Sequence, residues 1–197
     1  MLYLIRHGET DRNRAQVLQG RSNAPLNAKG QAQASAAGAF FRANGIHFSR
    51  VWSSPLDRAL ETARLAAGTE VPLQTDPALL EMDYGPYEGV SLENMPKELI
   101  TFFQDFVHNP APEGMESLSH VTARLGAFLD SISEAASEGD VLLSTHAIAM
   151  KGALEYLTPD ADGYYWPHYI GNCSVYRVPC AHGSYGIPEE FYTAIKS

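Results

Sequence analysis

Cysteine is nearly absent from this 197-residue chain: Cys173 and Cys180 are the whole complement. A disulfide-built scaffold is thereby excluded, and two ordinary thiols in a reducing compartment are expected. Long hydrophobic runs are missing too. No stretch approaches the ~18 apolar residues of a membrane-spanning helix. The N-terminus reads Met1-Leu2-Tyr3-Leu4-Ile5 and turns polar at Arg6, so it lacks the basic-then-apolar order of a secretory signal. A cytoplasmic protein without membrane contact is the expectation. Basic residues are few, 14 Lys+Arg against 23 Asp+Glu, for a net charge of −9. That balance argues against nucleic acid as a partner. Internal repeats and low-complexity linkers are also lacking.

What is present suits one folded domain over residues 1–197. Hydrophobic residues make up 45% and charged residues 19%, an ordinary globular composition with enough apolar mass for a sizeable core. The charge is unevenly spread: residues 1–70 sum to +4 and residues 71–197 to −13. A basic minority gathered in the first third suits a small anionic ligand.

Strand-like and helix-like segments alternate. Leu2-Tyr3-Leu4-Ile5 is a short apolar run of the buried-strand kind. Residues 27–44, rich in Ala and Gln and ending Asn44-Gly45, predict a helix with a glycine stop. Val51-Trp52-Ser53 is a second strand. After it, Ser54-Pro55-Leu56-Asp57 has the form of a capping box, with Ser54 as N-cap and Pro55 in the first helical position. Further helices are expected over about Leu92–Val107, Glu116–Ser137 and Ala147–Leu157. Strands are expected at Val141–Thr145, Ser174–Val178 and Phe191–Ile195. The order predicts an α/β fold of three layers, α/β/α, with a mostly parallel central sheet and helices on both faces. A small cap-like insertion is expected at about residues 82–115.

Three strand-to-helix junctions carry unusual polar residues: Arg6-His7-Gly8-Glu9-Thr10, Ser53-Ser54-Pro55-Leu56-Asp57-Arg58, and His146 after Thr145. In parallel sheets, ligands bind beyond the carboxyl ends of strands, so His7, Arg58 and His146 can converge there. Arg58 lies in the first turn of its helix, where the macrodipole disfavours a cation and a bound phosphate would reverse the sign. Gly8 is expected to allow a sharp turn and to keep a side chain away from the imidazole.

These residues carry a resemblance. Leu4-Ile5-Arg6-His7-Gly8-Glu9-Thr10 with Asn13 resembles the signature of the histidine phosphatase superfamily, the phosphoglycerate mutase-like proteins. Gln19-Gly20, Pro25-Leu26-Asn27, Gly30 and Gln33-Ala34 are similar to the next block. Ser53-Ser54-Pro55-Leu56 with Arg58-Ala59 and Glu61-Thr62-Ala63 resembles the second arginine motif. Leu80-Glu81 with Gly85 and Glu88-Gly89 resembles the acid motif; Gly114, Glu116-Ser117-Leu118 and Arg124 resemble a later block; and Ser144-Thr145-His146 resembles the second histidine motif. The likeness runs from about Leu2 to Leu157 in the family order. The departures are local: Ala147 stands where members usually have Gly, and Lys151 where several have Arg.

The resemblance implies a phosphatase that works without cofactor or metal through a phosphohistidine intermediate at His7. A neutral imidazole is nucleophilic near neutrality if its second nitrogen holds the proton, for which a backbone carbonyl is the expected acceptor. Arg6 and Arg58 would clamp the phosphoryl oxygens, since the guanidinium fork suits phosphate. His146 would be a further donor, protonated when the dianion is bound. Glu81 would protonate the leaving group and then activate water; Tyr84 or Tyr87 would shield it. Asn13, Gln19, Thr10, Arg21 and Ala147 complete the expected substrate-contacting set, Arg21 as a second anionic contact. A metal site is the rival use of histidines, but no His-Glu-x-x-His or paired-Cys motif occurs, and Arg6 beside His7 would repel a cation.

A mutase of the same family uses the same histidine chemistry and usually has a longer insertion before the second histidine. Here 64 residues separate Glu81 from His146, which favours the phosphatase branch. A non-catalytic phosphate- or phosphoprotein-binding module is the third reading, disfavoured because His7, Glu81, His146 and both arginines are all retained. The expected substrate is a small phosphorylated metabolite. An exposed apolar helix face could pair two copies as a homodimer.

Overall fold

A computed structural model describes residues 1–193, in the order β1 (Leu2–Arg6), α1 (Asp11–Arg14), α2 (Ala28–Ala43), β2 (Phe48–Ser53), α3 (Asp57–Ala67), β3 (Leu73–Thr75), α4 (Lys97–Gln104), α5 (Leu118–Glu138), β4 (Asp140–Thr145), α6 (Ala147–Leu157), β5 (Val175–Val178), β6 (Cys180–Ala181), β7 (Ser184–Tyr185) and β8 (Glu189–Tyr192). The main sheet has the strand order β3-β2-β4-β1-β5-β8. β3, β2, β4 and β1 run parallel, and β5 and β8 add two antiparallel strands at one edge. β6 and β7 form a separate hairpin.

The strand period of two sorts the core into two faces. Leu2 and Leu4 of β1 and Val141 and Leu143 of β4 join Leu125 and Leu129 of α5 and Ile148 and Leu154 of α6. Tyr3, Ile5 and Leu142 point the other way, among Ala34, Ala37 and Phe41 of α2 and Ala63 and Ala66 of α3. Helices on both faces of a mixed, mostly parallel sheet give the expected three layers.

Local differences from the sequence reading have physical causes. The helix expected over Leu92–Val107 is two pieces, a single 3-10 turn at Leu92–Asn94 and then α4, because Pro96 lacks an N–H and holds the residue before it extended. Ser54 does not cap α3; Leu56 is the N-cap and makes no side-chain cap bond. The last strand ends at Tyr192, and Ile195 lies outside the described residues. Phe102 is buried in the core and contacts the rings of Phe103 and Phe106; Phe106 in turn stacks on Trp166 at 6.3 Å between centroids. Among the described residues, no helix is long and apolar enough to cross a membrane.

Candidate active site

The parallel strands β1, β2 and β4 end side by side, and their carboxyl ends deliver the polar groups. Register pairs Arg6 with Thr145 and Ser53 with Ser144, so His7, Ser54 and His146 leave the sheet as neighbours. Backbone bonds continue the pairing past the strands, from His7 N to the Thr145 carbonyl at 2.9 Å and from Ser54 N to the Ser144 carbonyl at 2.9 Å. The His7 and His146 rings meet edge-on with centroids 5.1 Å apart. Both are buried, as are Arg58 and Glu81.

His7 is oriented by its own chain. Its Nδ1 lies 2.7 Å from the Gly8 carbonyl. A carbonyl only accepts, so Nδ1 carries the proton and Nε2 presents a lone pair. Burial, then the charges of Arg58 and Arg6, hold the His7 pKa well below its ordinary 6.5. The imidazole is therefore neutral at physiological pH. Gly8 owes its place to a close approach: a Cβ there would stand 2.4 Å from the Gly30 carbonyl oxygen. Crowding by the α2 backbone, rather than a sharp turn or clearance for the imidazole, is what demands glycine.

Arg58 is fully buried and donates from three nitrogens: Nη2 to the Gly20 carbonyl at 2.7 Å, Nη1 to the Ser22 carbonyl at 2.8 Å and Nε to His146 Nδ1 at 3.2 Å. Two of its five N–H groups remain. Burial lowers it to about 10, which leaves it charged at neutral pH. Because Nδ1 of His146 accepts from Arg58, the proton of the neutral ring sits on Nε2, which pairs with Ser54 Oγ at 2.8 Å. Burial, then the charges of Arg58, His7 and Arg6, push His146 well below 6.5. Without a bound anion His146 is a neutral ring braced against Arg58, and the protonated donor is expected only once a dianion is bound. A phosphoryl dianion beside it would favour its protonation.

Arg6 donates Nη1 to the Ile170 carbonyl at 2.5 Å, while its buried Nε has no partner. A buried N–H left unpaired costs about 1–3 kcal/mol, so such a donor marks a place for an acceptor. Gln19 Nε2 is a second buried donor of this kind. Gln19 Oε1 accepts from Thr10 Oγ1 at 2.9 Å.

Glu81 lies beneath the start of α6. Its Oε1 accepts from Ala149 N and Met82 N, both at 2.9 Å, and its Oε2 from Ile148 N at 3.2 Å. The carboxylate thus satisfies first-turn amides of α6, the helix that His146 opens. The buried Tyr84 is electrostatically coupled to it.

The remaining expected contacts divide. Thr10 and Asn13 form a reciprocal capping box on α1. Arg21 gives Nε to the Glu81 carbonyl at 2.8 Å and Nη2 to Glu116 at 3.3 Å. Ala147 is half-buried at the first position of α6. Lys151 is buried, donates to the Trp166 carbonyl at 2.6 Å and lies 5.1 Å from the centre of the Phe106 ring; burial lowers it to about 8.

Sequence reading missed three participants. Asn172 Nδ2 donates to the His7 carbonyl at 2.9 Å and to Asn13 Oδ1 at 3.4 Å. Only the turn-like Gly171-Asn172 pair hinted at it. Ser54 was read as a helix cap. Glu88 holds the loop that Arg58 reads, accepting from Gly20 N at 2.9 Å and from the Ser22 hydroxyl. Among the described residues, no group of three His, Cys, Asp or Glu side chains is arranged to hold a metal ion.

The chain is similar to known proteins over most of its length. A fructose-2,6-bisphosphatase TIGAR B from Danio rerio is 30% identical over 192 residues, covering 93% of this chain and 70% of its own length. An uncharacterized phosphatase PhoE of Bacillus subtilis is 33% identical over 152 residues, covering 77% of this chain and 74% of its own. The solved structure of Bacillus stearothermophilus YhfR superposes with a TM-score of 0.82 at 27% identity, covering 94% of each chain. The model of the histidine phosphatase superfamily (branch 1) matches residues 2–189, and the chain belongs to that family.

Proposed function

We propose that this protein hydrolyses phosphomonoesters of small organic alcohols without a metal, through a phosphohistidine at His7. The observation that carries the reading is the tautomer: the bond from Nδ1 to the Gly8 carbonyl leaves Nε2 as a neutral, buried nucleophile. Arg6, with its unpaired Nε, and the two spare N–H groups of Arg58 supply donors for the phosphoryl oxygens.

In the first step His7 Nε2 forms a bond to phosphorus and the ester P–O bond breaks. The leaving oxygen takes the proton of Glu81. Oε2, which holds only one long bond, is the Glu81 oxygen best able to carry that proton. In the second step water attacks phosphorus, its proton passes to Glu81, the P–N bond breaks and inorganic phosphate leaves. The charges of Arg58 and Arg6 act on His7 and would repel a metal cation there, which supports the metal-free reading. The relatives include both named phosphatases and probable phosphoglycerate mutases, so hydrolysis over mutase transfer rests on the short stretch of 64 residues between Glu81 and His146.

The test is hydrolysis of 4-nitrophenyl phosphate by wild type and His7→Ala in the presence of chelator. Chelator-resistant turnover in wild type only is expected. Turnover that survives His7→Ala but stops with chelator contradicts the mechanism.

A further inference from the structure

Glu81 sits on a segment with little regular structure, yet an acid must be placed to within about 0.5 Å to work. What fixes that segment is an ionic knot built around the buried carboxylate of Glu116. Arg124 Nη1 donates to the carbonyls of Ala78 at 2.6 Å and Leu80 at 2.7 Å. Arg21 Nε donates to the carbonyl of Glu81 itself at 2.8 Å. Glu116 Oε2 accepts from the backbone N–H of Asp83 at 3.0 Å. The main chain is thus gripped before, at and after Glu81.

One carboxylate ties the grips together. Glu116 also accepts from Arg124 Nε at 2.7 Å, Arg124 Nη2 at 3.1 Å and Arg21 Nη2 at 3.3 Å, and its side chain is only 5% exposed. His120 Nδ1 completes its shell at 2.7 Å. Burial raises the Glu116 pKa, but the hydrogen bonds of Arg124 and Asp83 and the arginine charges outweigh it, so Glu116 is ionised at neutral pH. The geometry closes a ring from α5, through the loop after α1, to the segment 78–83.

We infer that Glu116, with Arg21 and Arg124, is a positioning residue for the Glu81 carboxyl, holding it where it can reach the leaving oxygen. Arg21 then serves the acid from behind rather than a second anion on the substrate. The inference rests on the reading of Glu81 as general acid, and its test separates the two.

A positioning role has a signature that a loss of packing lacks. Proton donation matters most for basic leaving groups, so a displaced acid hurts alkyl esters more than aryl esters. The experiment measures kcat/KM for 4-nitrophenyl phosphate, phenyl phosphate and glycerol 2-phosphate with wild type, Glu81→Gln, Glu116→Gln and Arg21→Gln, alongside thermal unfolding. Glu81→Gln should lose about 100-fold or more on glycerol 2-phosphate and about threefold or less on the nitrophenyl ester. Glu116→Gln should show the same graded pattern at lower amplitude, about tenfold against less than twofold, because the acid is displaced rather than removed. Arg21→Gln, which cuts the grip at a half-exposed side chain, carries the test if Glu116→Gln does not fold. A graded Glu81→Gln series with equal losses across all three esters in Glu116→Gln and Arg21→Gln overturns the inference. A flat Glu81→Gln series overturns the acid role of Glu81 instead.

Discussion

Two buried neutral imidazoles make the fold sensitive to acid in a way that can be counted. In the unfolded chain His7 and His146 take up protons near pH 6.5. In the folded chain burial first, and then the arginine charges, hold both well below that value. Between the folded and unfolded values the unfolded state carries the extra protons, so stability is present above pH 6.5 and is lost as the pH falls. Each site contributes a slope of about 1.4 kcal/mol per pH unit in that window. From about pH 7.5 to about pH 5.5 the pair can therefore remove at most about 2.7 kcal/mol from the unfolding free energy, a large share of a total of about 5–15 kcal/mol. Glu116 and Asp105 are lowered carboxyls and titrate below this range. The assay is urea unfolding at several pH values in phosphate-free buffer, for wild type, His7→Asn and His146→Asn. Each substitution should remove about half of the extra slope, and the other five histidines cancel in the comparison. Equal slopes in all three proteins would refute the claim that these imidazoles are held neutral. Added phosphate should flatten the wild-type slope by favouring protonated His146.

Other substitutions test single contacts. Arg58→Lys cannot serve Gly20, Ser22 and His146 at once, so kcat/KM for 4-nitrophenyl phosphate should fall about 100-fold; unchanged turnover would remove Arg58 from the site. Asn172→Ala frees the His7 carbonyl and should lower kcat about tenfold with little change in unfolding midpoint, measured by steady-state kinetics and thermal melting. Gly8→Ala forces a methyl against the Gly30 backbone and should cost about 1–3 kcal/mol in urea unfolding; full stability would show that the loop after β1 does not touch α2.

Much of the fold was legible because the central strands are buried on both faces and so read as unbroken apolar runs. The apolar runs of β1 and β4 and the three- and four-residue repeats of α3 leave little choice of element type. The antiparallel edge, β5 and β8, was visible as strands but not in direction, since direction depends on the connection rather than on any one residue. At the site, His7, Arg58 and His146 were readable from their positions at strand ends. Their partners were not: Ser54 looked like a cap because the capping-box pattern is local, while its hydroxyl is claimed by His146, 92 residues away. Asn172 and the Glu116 knot join segments more than 30 residues apart through side-chain-to-backbone bonds, which leave no periodic trace. Arg21 shows the same limit, since a basic residue near a phosphate site reads as a ligand contact until its carbonyl partner is seen.

The central claim is that His7 Nε2 takes the phosphoryl group. The direct measurement is to mix enzyme with radiolabelled phosphomonoester, quench within one turnover, and map the labelled residue by mass spectrometry under alkaline conditions that preserve phosphoramidates. A +80 Da label on His7, lost in acid and absent from His7→Asn, is the predicted result. Burst turnover with no label on His7, or label on any other residue at equal yield, would contradict it.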